Sequence, residues 1–306
     1  MPHSIPTSFL VGPTAVGKSE VALLLAEELD AEIVSADSMQ VYRGMDIGTA
    51  KPTGEERARG RYHLIDVVDV SQPFHVAQYR ALAASAIEDI QKRGRQPLVV
   101  GGSGMYLRAL AEGLFEGPGA DAALRAKLEE HSAEELHARL KRVDPVSAAR
   151  IPVGNKRRLV RALEVFELTG KPLSAQQTEW KRAAPERPEM ILLERDRAEL
   201  CARIDRRVDW MFANGLVEET RALLERGLAE NPTARVAAGY REVIDWLEGR
   251  IRRDDAVCHT KLRTRQLAKR QLTWFRHQAK VRVVRAEASA QQTKERVRAL
   301  VENARG

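Results

Sequence analysis

Residues 12–19 read Gly-Pro-Thr-Ala-Val-Gly-Lys-Ser, directly after the apolar run Phe9-Leu10-Val11. This Gly-x-x-x-x-Gly-Lys-Ser spacing meets the requirements of a phosphate grip together. Gly12 and Gly17 permit the turn and a close backbone approach, and Pro13, Thr14, Ala15 and Val16 complete the loop. Successive N–H groups, and the helix opening near Lys18, aim partial positive charge at an anion. Lys18 adds a full charge, and the Ser19 hydroxyl can hold a magnesium ion. The chain therefore binds a phosphate or a diphosphate, and the loop alone does not say whose.

Other residues offer chemistry beside such an anion. Asp37, in Asp-Ser-Met-Gln-Val-Tyr42, closes an apolar run and could bind magnesium or act as a base toward an amine or hydroxyl. An Asp-Ser pair is also a common turn or helix cap. Gln40 can present an amide to a base edge. Ser103, in Gly101-Gly-Ser-Gly-Met-Tyr106, could contact a transferring phosphate or a leaving group, although glycine clusters end strands everywhere. Arg203 and Arg207 share one helical face; Arg207 would suit a leaving diphosphate, while a salt-bridged surface is the plainer alternative.

These residues need a frame, and the hydrophobic pattern supplies one. Strands are predicted at 8–11, 31–37, 62–68, 96–100 and 190–193, and a last one at 280–285. Helices are predicted at 17–29, 75–93, 196–214, 216–227 and 254–279. Repeated βα units argue a parallel, doubly wound sheet whose ligands gather at the strand carboxyl ends. The phosphate loop, Asp37 and 101–106 all follow such ends. After Gly117-Pro-Gly119 the pattern turns helical over 121–180, with loops at Gly170-Lys-Pro172 and at Pro185 to Pro188. The division expected is a core at 1–117, an inserted all-helical subdomain at 118–188 and completion of the core at 189–306, ending in an exposed tail helix.

The charge pattern adds a second ligand. The net charge is +7 over 306 residues. Segment 150–161 holds Arg150, Lys156, Arg157, Arg158 and Arg161 without an acid, and segment 261–285 holds nine Lys and Arg without one. Acid-free basic blocks suit a nucleic-acid backbone, although a basic surface can also serve solubility. On the helix through 261–276, Lys261, Arg265 and Lys269 form a basic ridge and Ala268, Leu272 and Phe275 an apolar one. Trp274-Phe275-Arg276 would suit a phosphate beside an unstacked base. There is no run of about 18 apolar residues and no signal-peptide pattern, so a cytoplasmic protein without a membrane span is expected. Cys201 and Cys258 are expected to be reduced thiols, and Cys258-His259 stands alone as a zinc motif. A kinase would need a metal-binding aspartate after a strand; Leu64-Ile-Asp66 is the nearest candidate and is ambiguous.

Taken in order, the motifs above, together with Met45-Asp-Ile-Gly-Thr-Ala-Lys-Pro52, Arg158-Leu-Val-Arg-Ala-Leu-Glu-Val-Phe166, Gly239-Tyr-Arg241 and Lys269-Arg-Gln-Leu-Thr-Trp-Phe-Arg276, closely resemble the bacterial tRNA dimethylallyltransferases over nearly the whole chain. The resemblance implies a P-loop NTPase-like α/β core with the helical insert. It implies transfer of a dimethylallyl group from dimethylallyl diphosphate to N6 of the adenosine at tRNA position 37, in tRNAs reading codons that begin with U. Lys18 and Arg207 would stabilise the departing diphosphate, Asp37 would take the N6 proton, and Ser19 and Ser103 would engage magnesium or phosphate oxygens. The tRNA anticodon stem-loop would meet Asp37, Ser38, Met39, Gln40 and Ser103. It would also meet Arg125, Arg157, Arg158, Leu159, Val160 and Arg161, Gly239, Tyr240 and Arg241, and Lys269, Arg270, Gln271, Leu272, Thr273, Trp274, Phe275 and Arg276. ATP binding at the loop and a monomeric state are further expectations. Val236 stands where the family often has Arg, and Ser103 where it often has Thr. A prenyltransferase of free adenine nucleotides and a P-loop kinase or RNA-binding NTPase are the other readings; the basic blocks argue against the first of these.

Overall fold

The computed structural model describes residues 6–114, 117–177 and 187–303. The chain divides into two compact units, Met1–Ala111 with Arg187–Gly306, and Glu112–Glu186.

The first unit is built on six strands, β1 (Ser8–Val11), β2 (Ala31–Ala36), β3 (Tyr62–His63), β4 (Gln96–Gly101), β5 (Met190–Glu194) and β6 (Val281–Arg285). Their order is β3-β2-β4-β1-β5-β6 and every pairing is parallel. Helices cover both faces, so β1, β2 and β4 are buried along their whole length. That explains their nearly unbroken apolar sequence. The one charged residue in these three strands, Glu32 in β2, is fully buried against Arg93 and His63. From β1 the chain runs to β2 on one side and later reaches β5 on the other, so the strand order reverses beside β1. Ligands of such sheets bind outside the strand ends at that point. The parallel P-loop-like sheet expected from the sequence is the one found.

Two expectations for this unit are corrected. The strand expected over 62–68 pairs only at Tyr62–His63, because Leu64 and Asp66 adopt left-handed φ of 62° and 58°. A pleated ladder cannot continue through such residues. Beyond them Val68 makes a single bridge to Tyr42. The tail helix, Ala290–Asn303, is not an exposed appendage. Val297 and Val301 are buried in the core, and Lys294 and Arg298 both pair with Glu28 of the Lys18–Leu29 helix.

The second unit packs the helices Ala122–Glu129, Ala133–Val143, Pro145–Arg150 and Lys156–Thr169 around Leu128, Leu136, Leu140, Leu159 and Leu163. Each start is capped by a side chain, from Asp121, Ser132, Asp144 and Asn155. Gly170 at φ 67° ends the last of them, where the loop was expected. Residues 173–177 are also helical. The helix expected over 178–180 and the loop expected at Pro185 lie outside the described residues.

Candidate active site

The phosphate loop leaves β1 at Gly12, where a Cβ would meet the Leu193 carbonyl oxygen at 2.7 Å. Only glycine fits against β5 there. At the other end Gly17, φ 105°, opens the Lys18–Leu29 helix without a side-chain cap, which leaves the first-turn N–H groups to a ligand. Two arginines brace the loop through its carbonyls. Arg203 Nε donates to Ala15 O at 2.9 Å and Arg195 Nε donates to Val16 O at 3.0 Å. In a planar trans peptide the N–H points opposite to the C=O. The Val16 and Gly17 N–H groups therefore face away from these cations, as an anion-binding nest requires.

Lys18 Nζ donates to Pro13 O at 2.7 Å. Burial pushes the Lys18 ammonium down to about 7, with Asp37 raising and Arg207 lowering it further. Burial also opposes the charge of Arg207, and Asp37 offsets that cost. Arg207 Nη1 donates to Thr14 Oγ1 at 3.3 Å. Two cations and one carboxylate thus act on one another at the mouth of the loop. That supports a role for Arg207 beyond a surface pair on its helix, whose Ile204, Val208 and Met211 form the buried stripe.

Asp37 follows the end of β2. Its Oδ1 accepts from the Met39 N–H at 2.8 Å, so it serves its own turn as well as facing the site. Ser103 Oγ accepts from the Ser38 N–H at 3.0 Å and donates to Ser38 Oγ at 3.3 Å. Ser103 therefore holds the Asp37 turn while lining the smaller cavity beside Asp37 and Arg207. Gln40 is committed as well. Its Oε1 accepts from Ser35 Oγ at 2.9 Å, and its Nε2 donates to the Thr49 and Ala50 carbonyls at 3.4 Å. With those partners the amide braces the 46–50 loop while it lines the larger cavity.

Two cavities open on this cluster. One, of about 890 Å³, is lined by Lys18, Ser19, Gln40, Arg203, Arg206 and Trp210. The other, of about 460 Å³, is lined by Met39, Ser103, Arg241, Arg263, Gln266 and Arg270. Thr14, Asp37, Thr49, Arg207 and Gln271 line both. The first holds the phosphate loop, and the second collects the arginines and amides. Asp37 and Arg207 stand where they meet.

The long helix Arg253–Gln278 reaches this junction through Gln271. Its Oε1 accepts from the Thr14 N–H at 2.8 Å and its Nε2 donates to Gly102 O at 3.1 Å. Two glycines of the 101–104 cluster, Gly102 and Gly104, are explained by this docking, while a Cβ on Gly101 would meet the Ala36 carbonyl of β2 at 2.2 Å. A Cβ on Gly102 would fall 2.4 Å from Gln271 Nε2, and one on Gly104 would fall 2.3 Å from the Trp274 ring. Trp274 packs against Gly104 and is half-buried, whereas Phe275 is fully buried and cannot offer the stacking surface expected of the pair. Leu272 packs partly on the core and Arg276 pairs with Glu194 at 2.9 Å, while Lys269, Arg270 and Thr273 are exposed. On the basic ridge, Lys261 pairs with Asp209 at 2.6 Å and Arg265 Nε with Asp205 at 3.0 Å.

Similar sorting applies to the other basic stretches. Tyr240 is fully buried behind the N-cap Gly239, leaving Arg241 to the cavity. In the helical unit Leu159 and Val160 are core, and Arg157 and Arg158 are exposed. Arg125 and Arg161 both hold the buried Glu164, at 2.8 and 2.6 Å. Burial raises that carboxyl, but the two guanidinium groups win and keep it below the usual carboxylate range. Thr49, Arg195 and Arg263 were not singled out from the sequence; Arg195 is placed through Val16 and Arg263 through Glu242, partners that no local pattern announces, while Thr49 donates to Met45 O four positions back.

No three His, Cys, Asp or Glu among the described residues could share a metal ion. Ser19 lines the larger cavity, and its hydroxyl would hold a magnesium ion together with a bound diphosphate. Asp66, the alternative metal carboxylate, is taken by Lys51 at 2.6 Å and Arg57 at 2.8 Å.

Residues 40–278 match the family model described as IPP transferase. A tRNA dimethylallyltransferase of Salinispora tropica is 49% identical over 281 residues, covering 89% of this chain and 86% of that protein. One from Pelotomaculum thermopropionicum is 45% identical, covering 92% and 91%. Among solved structures, the full-length tRNA isopentenylpyrophosphate transferase of Bacillus halodurans is 39% identical, with a TM-score of 0.71 and 97% of each chain covered. A eukaryotic dimethylallyltransferase acting on tRNA superposes with a TM-score of 0.83 at 28% identity, covering 97% of this chain and 78% of that one. By its family model, its relatives and its fold, the chain belongs to the IPP transferase family.

Proposed function

We propose that this protein transfers a dimethylallyl group from dimethylallyl diphosphate to N6 of the adenosine at tRNA position 37, in tRNAs reading codons that begin with U, and releases diphosphate. The observation that carries this reading is the pair of cavities joined at Thr14, Asp37, Thr49, Arg207 and Gln271. A phosphorylated donor fits the side with the loop, and a nucleotide fits the side with Arg241, Arg263 and Arg270. The reacting atoms would then meet at Asp37. An adenosine beside the anticodon must leave its stack to reach that junction.

The N6 lone pair forms a bond to C1 of the dimethylallyl group as the C1–O bond breaks. The bonding electrons leave on the diphosphate oxygen, and the N6 proton passes to the Asp37 carboxylate. Charge on the departing group is the main obstacle, and preorganised cations are the main remedy. Lys18, Arg207 and the Val16 and Gly17 N–H groups supply it. Ser19 and the diphosphate oxygens would hold a magnesium ion, which contributes further charge neutralisation. Arg203 and Arg195 keep the nest in shape.

The test is one assay with unmodified tRNA, given dimethylallyl diphosphate or ATP. A mass gain of one prenyl unit on the tRNA, with the first only, is expected. Phosphate release from ATP without that gain would instead favour an NTPase, and prenylation of free adenine nucleotides but not of tRNA would favour the smaller acceptor. Asp37→Ala should lower turnover by about 10²–10⁴-fold with tRNA binding little changed. Wild-type turnover in that variant, or a loss matched by unfolding, would remove Asp37 from this role.

A further inference from the structure

The loop at 46–50 walls both cavities through Thr49, and it is held from outside by one carboxylate. Glu219 lies on the helix Leu216–Glu225. Its Oε2 accepts from the Asp46 and Ile47 N–H groups at 3.1 and 2.7 Å. Its Oε1 accepts from the Gly48 N–H at 3.2 Å and from the Tyr240 hydroxyl at 2.5 Å. Three consecutive N–H groups converging on one anion make a backbone nest, here filled by the protein's own carboxylate. Gly48 lies flush on the Tyr240 ring, where a Cβ would come within 2.4 Å.

The far end of the loop has its own anchor. Lys51 Nζ donates to Tyr42 O, Asp46 Oδ1 and Asp66 Oδ1, each at 2.6 Å. Between the two anchors lie Thr49 and Ala50, whose carbonyls accept from Gln40. The neighbour of Tyr240, Arg241, lines the cavity assigned to the nucleotide. A single carboxylate thus ties together the wall at the junction and the start of an element that faces the acceptor.

We propose that Glu219 is a positioning residue for group transfer: by filling the nest at Asp46, Ile47 and Gly48 and accepting from Tyr240, it fixes the Thr49 wall opposite Asp37. This rests on the function proposed above. Glu219 itself lines neither cavity, so it acts through the loop. Four groups converge on its two oxygens, and a carboxylate can accept from all of them. An amide offers one acceptor oxygen and turns an NH₂ donor toward the remaining donors. Glu219→Gln therefore keeps the volume and loosens the loop.

The experiment compares the full-length wild type with Glu219→Gln and Tyr240→Phe. Glu219→Gln is expected to lower kcat for prenyl transfer about tenfold to a hundredfold, the scale of a misplaced reacting geometry. Its Kd for inorganic diphosphate, read by calorimetry, should stay within about twofold because the phosphate loop is untouched. Amide hydrogen exchange at 46–48 should quicken at least about tenfold while the β-sheet amides keep their protection. Tyr240→Phe keeps the ring on Gly48 and removes one donor, so a smaller loss of kcat is expected, again without loss of diphosphate affinity; it carries the test should Glu219→Gln fail to fold. Unchanged kcat in both variants overturns the proposal. So does a loss accompanied by an equal loss of diphosphate affinity and faster exchange throughout the sheet, which would mark a purely structural role. A wild type that transfers no prenyl group would overturn the function proposed above instead, and exchange at 46–48 would still decide whether Glu219 holds the loop.

Discussion

Lys18 is the residue whose behaviour depends most on what occupies the cleft. Burial pushes its ammonium down to about 7, Asp37 opposes the shift and Arg207 adds to it. A bound diphosphate places negative charge beside the ammonium and so raises its pKa. The sign follows: above about pH 7 the free protein has lost the Lys18 proton and must take one up on binding diphosphate. Affinity should be level below about pH 7 and fall with rising pH, by up to about tenfold per unit while only the bound lysine is charged. Calorimetry of inorganic diphosphate at pH 6, 7 and 8, in buffers of unlike ionisation enthalpy, reads both affinity and proton uptake. Lys18→Arg, which stays charged throughout, isolates the ligand's own titration. Equal pH profiles for the two proteins would show that Lys18 stays charged in the free state. The loop and Asp37 were legible in the sequence because their chemistry is written in local spacing. The tasks of Gln40, Ser103 and Gln271 were not, since each is defined by its partner. For Gln271 that partner, Thr14, lies 257 positions away.

At the scale of elements, the helical unit shows how a basic stretch divides its work. Leu159, Val160 and Leu163 build its core, while Arg125 and Arg161 converge on the fully buried Glu164. The Asp121 N–H donates to Glu164 as well, at 2.8 Å. Removing the carboxylate would leave two partly exposed guanidinium groups repelling each other and the Asp121 N–H without its acceptor, a cost of about 1–3 kcal/mol. Glu164→Ala should therefore move the denaturant midpoint strongly downward, with Arg157→Ala and Arg158→Ala close to wild type in the same measurement. Unchanged stability in Glu164→Ala would return Arg125 and Arg161 to the pool of RNA-facing cations. Hydrophobic periodicity marked most helices and strands here, because their buried faces repeat at short range. It failed at 62–68, where the apolar alternation continues but the left-handed residues at Leu64 and Asp66 end the ladder. It failed again at the tail helix, where the valines that seat it are few among polar neighbours.

For the whole molecule, a net charge of +7 overstates what one face can offer an RNA. Within the acid-free segment 261–285 the acids come from elsewhere in the chain. Lys261 and Arg265 are met by Asp209 and Asp205, Arg263 by Glu242, Arg276 by Glu194 and Arg282 by Glu189. A run read in one dimension cannot reveal those counter-charges. Lys269 and Arg270 are exposed and make no ion pair among the described residues, and Arg270 lines the cavity assigned to the nucleotide. Each cation that meets a phosphate contributes about 0.7–0.9 to the slope of log Kobs against log salt. Arg270→Ala should thus weaken tRNA binding at low salt and reduce that slope by about one unit. Arg265→Ala removes the same formal charge but one already matched by Asp205, so it should leave the slope close to wild type and lower stability instead. Titrating labelled tRNA over a salt series with the three proteins separates the cases. Equal slope changes in the two variants would mean that net charge alone draws the RNA, and that the pairing seen along the Arg253–Gln278 helix does not select which cations it meets.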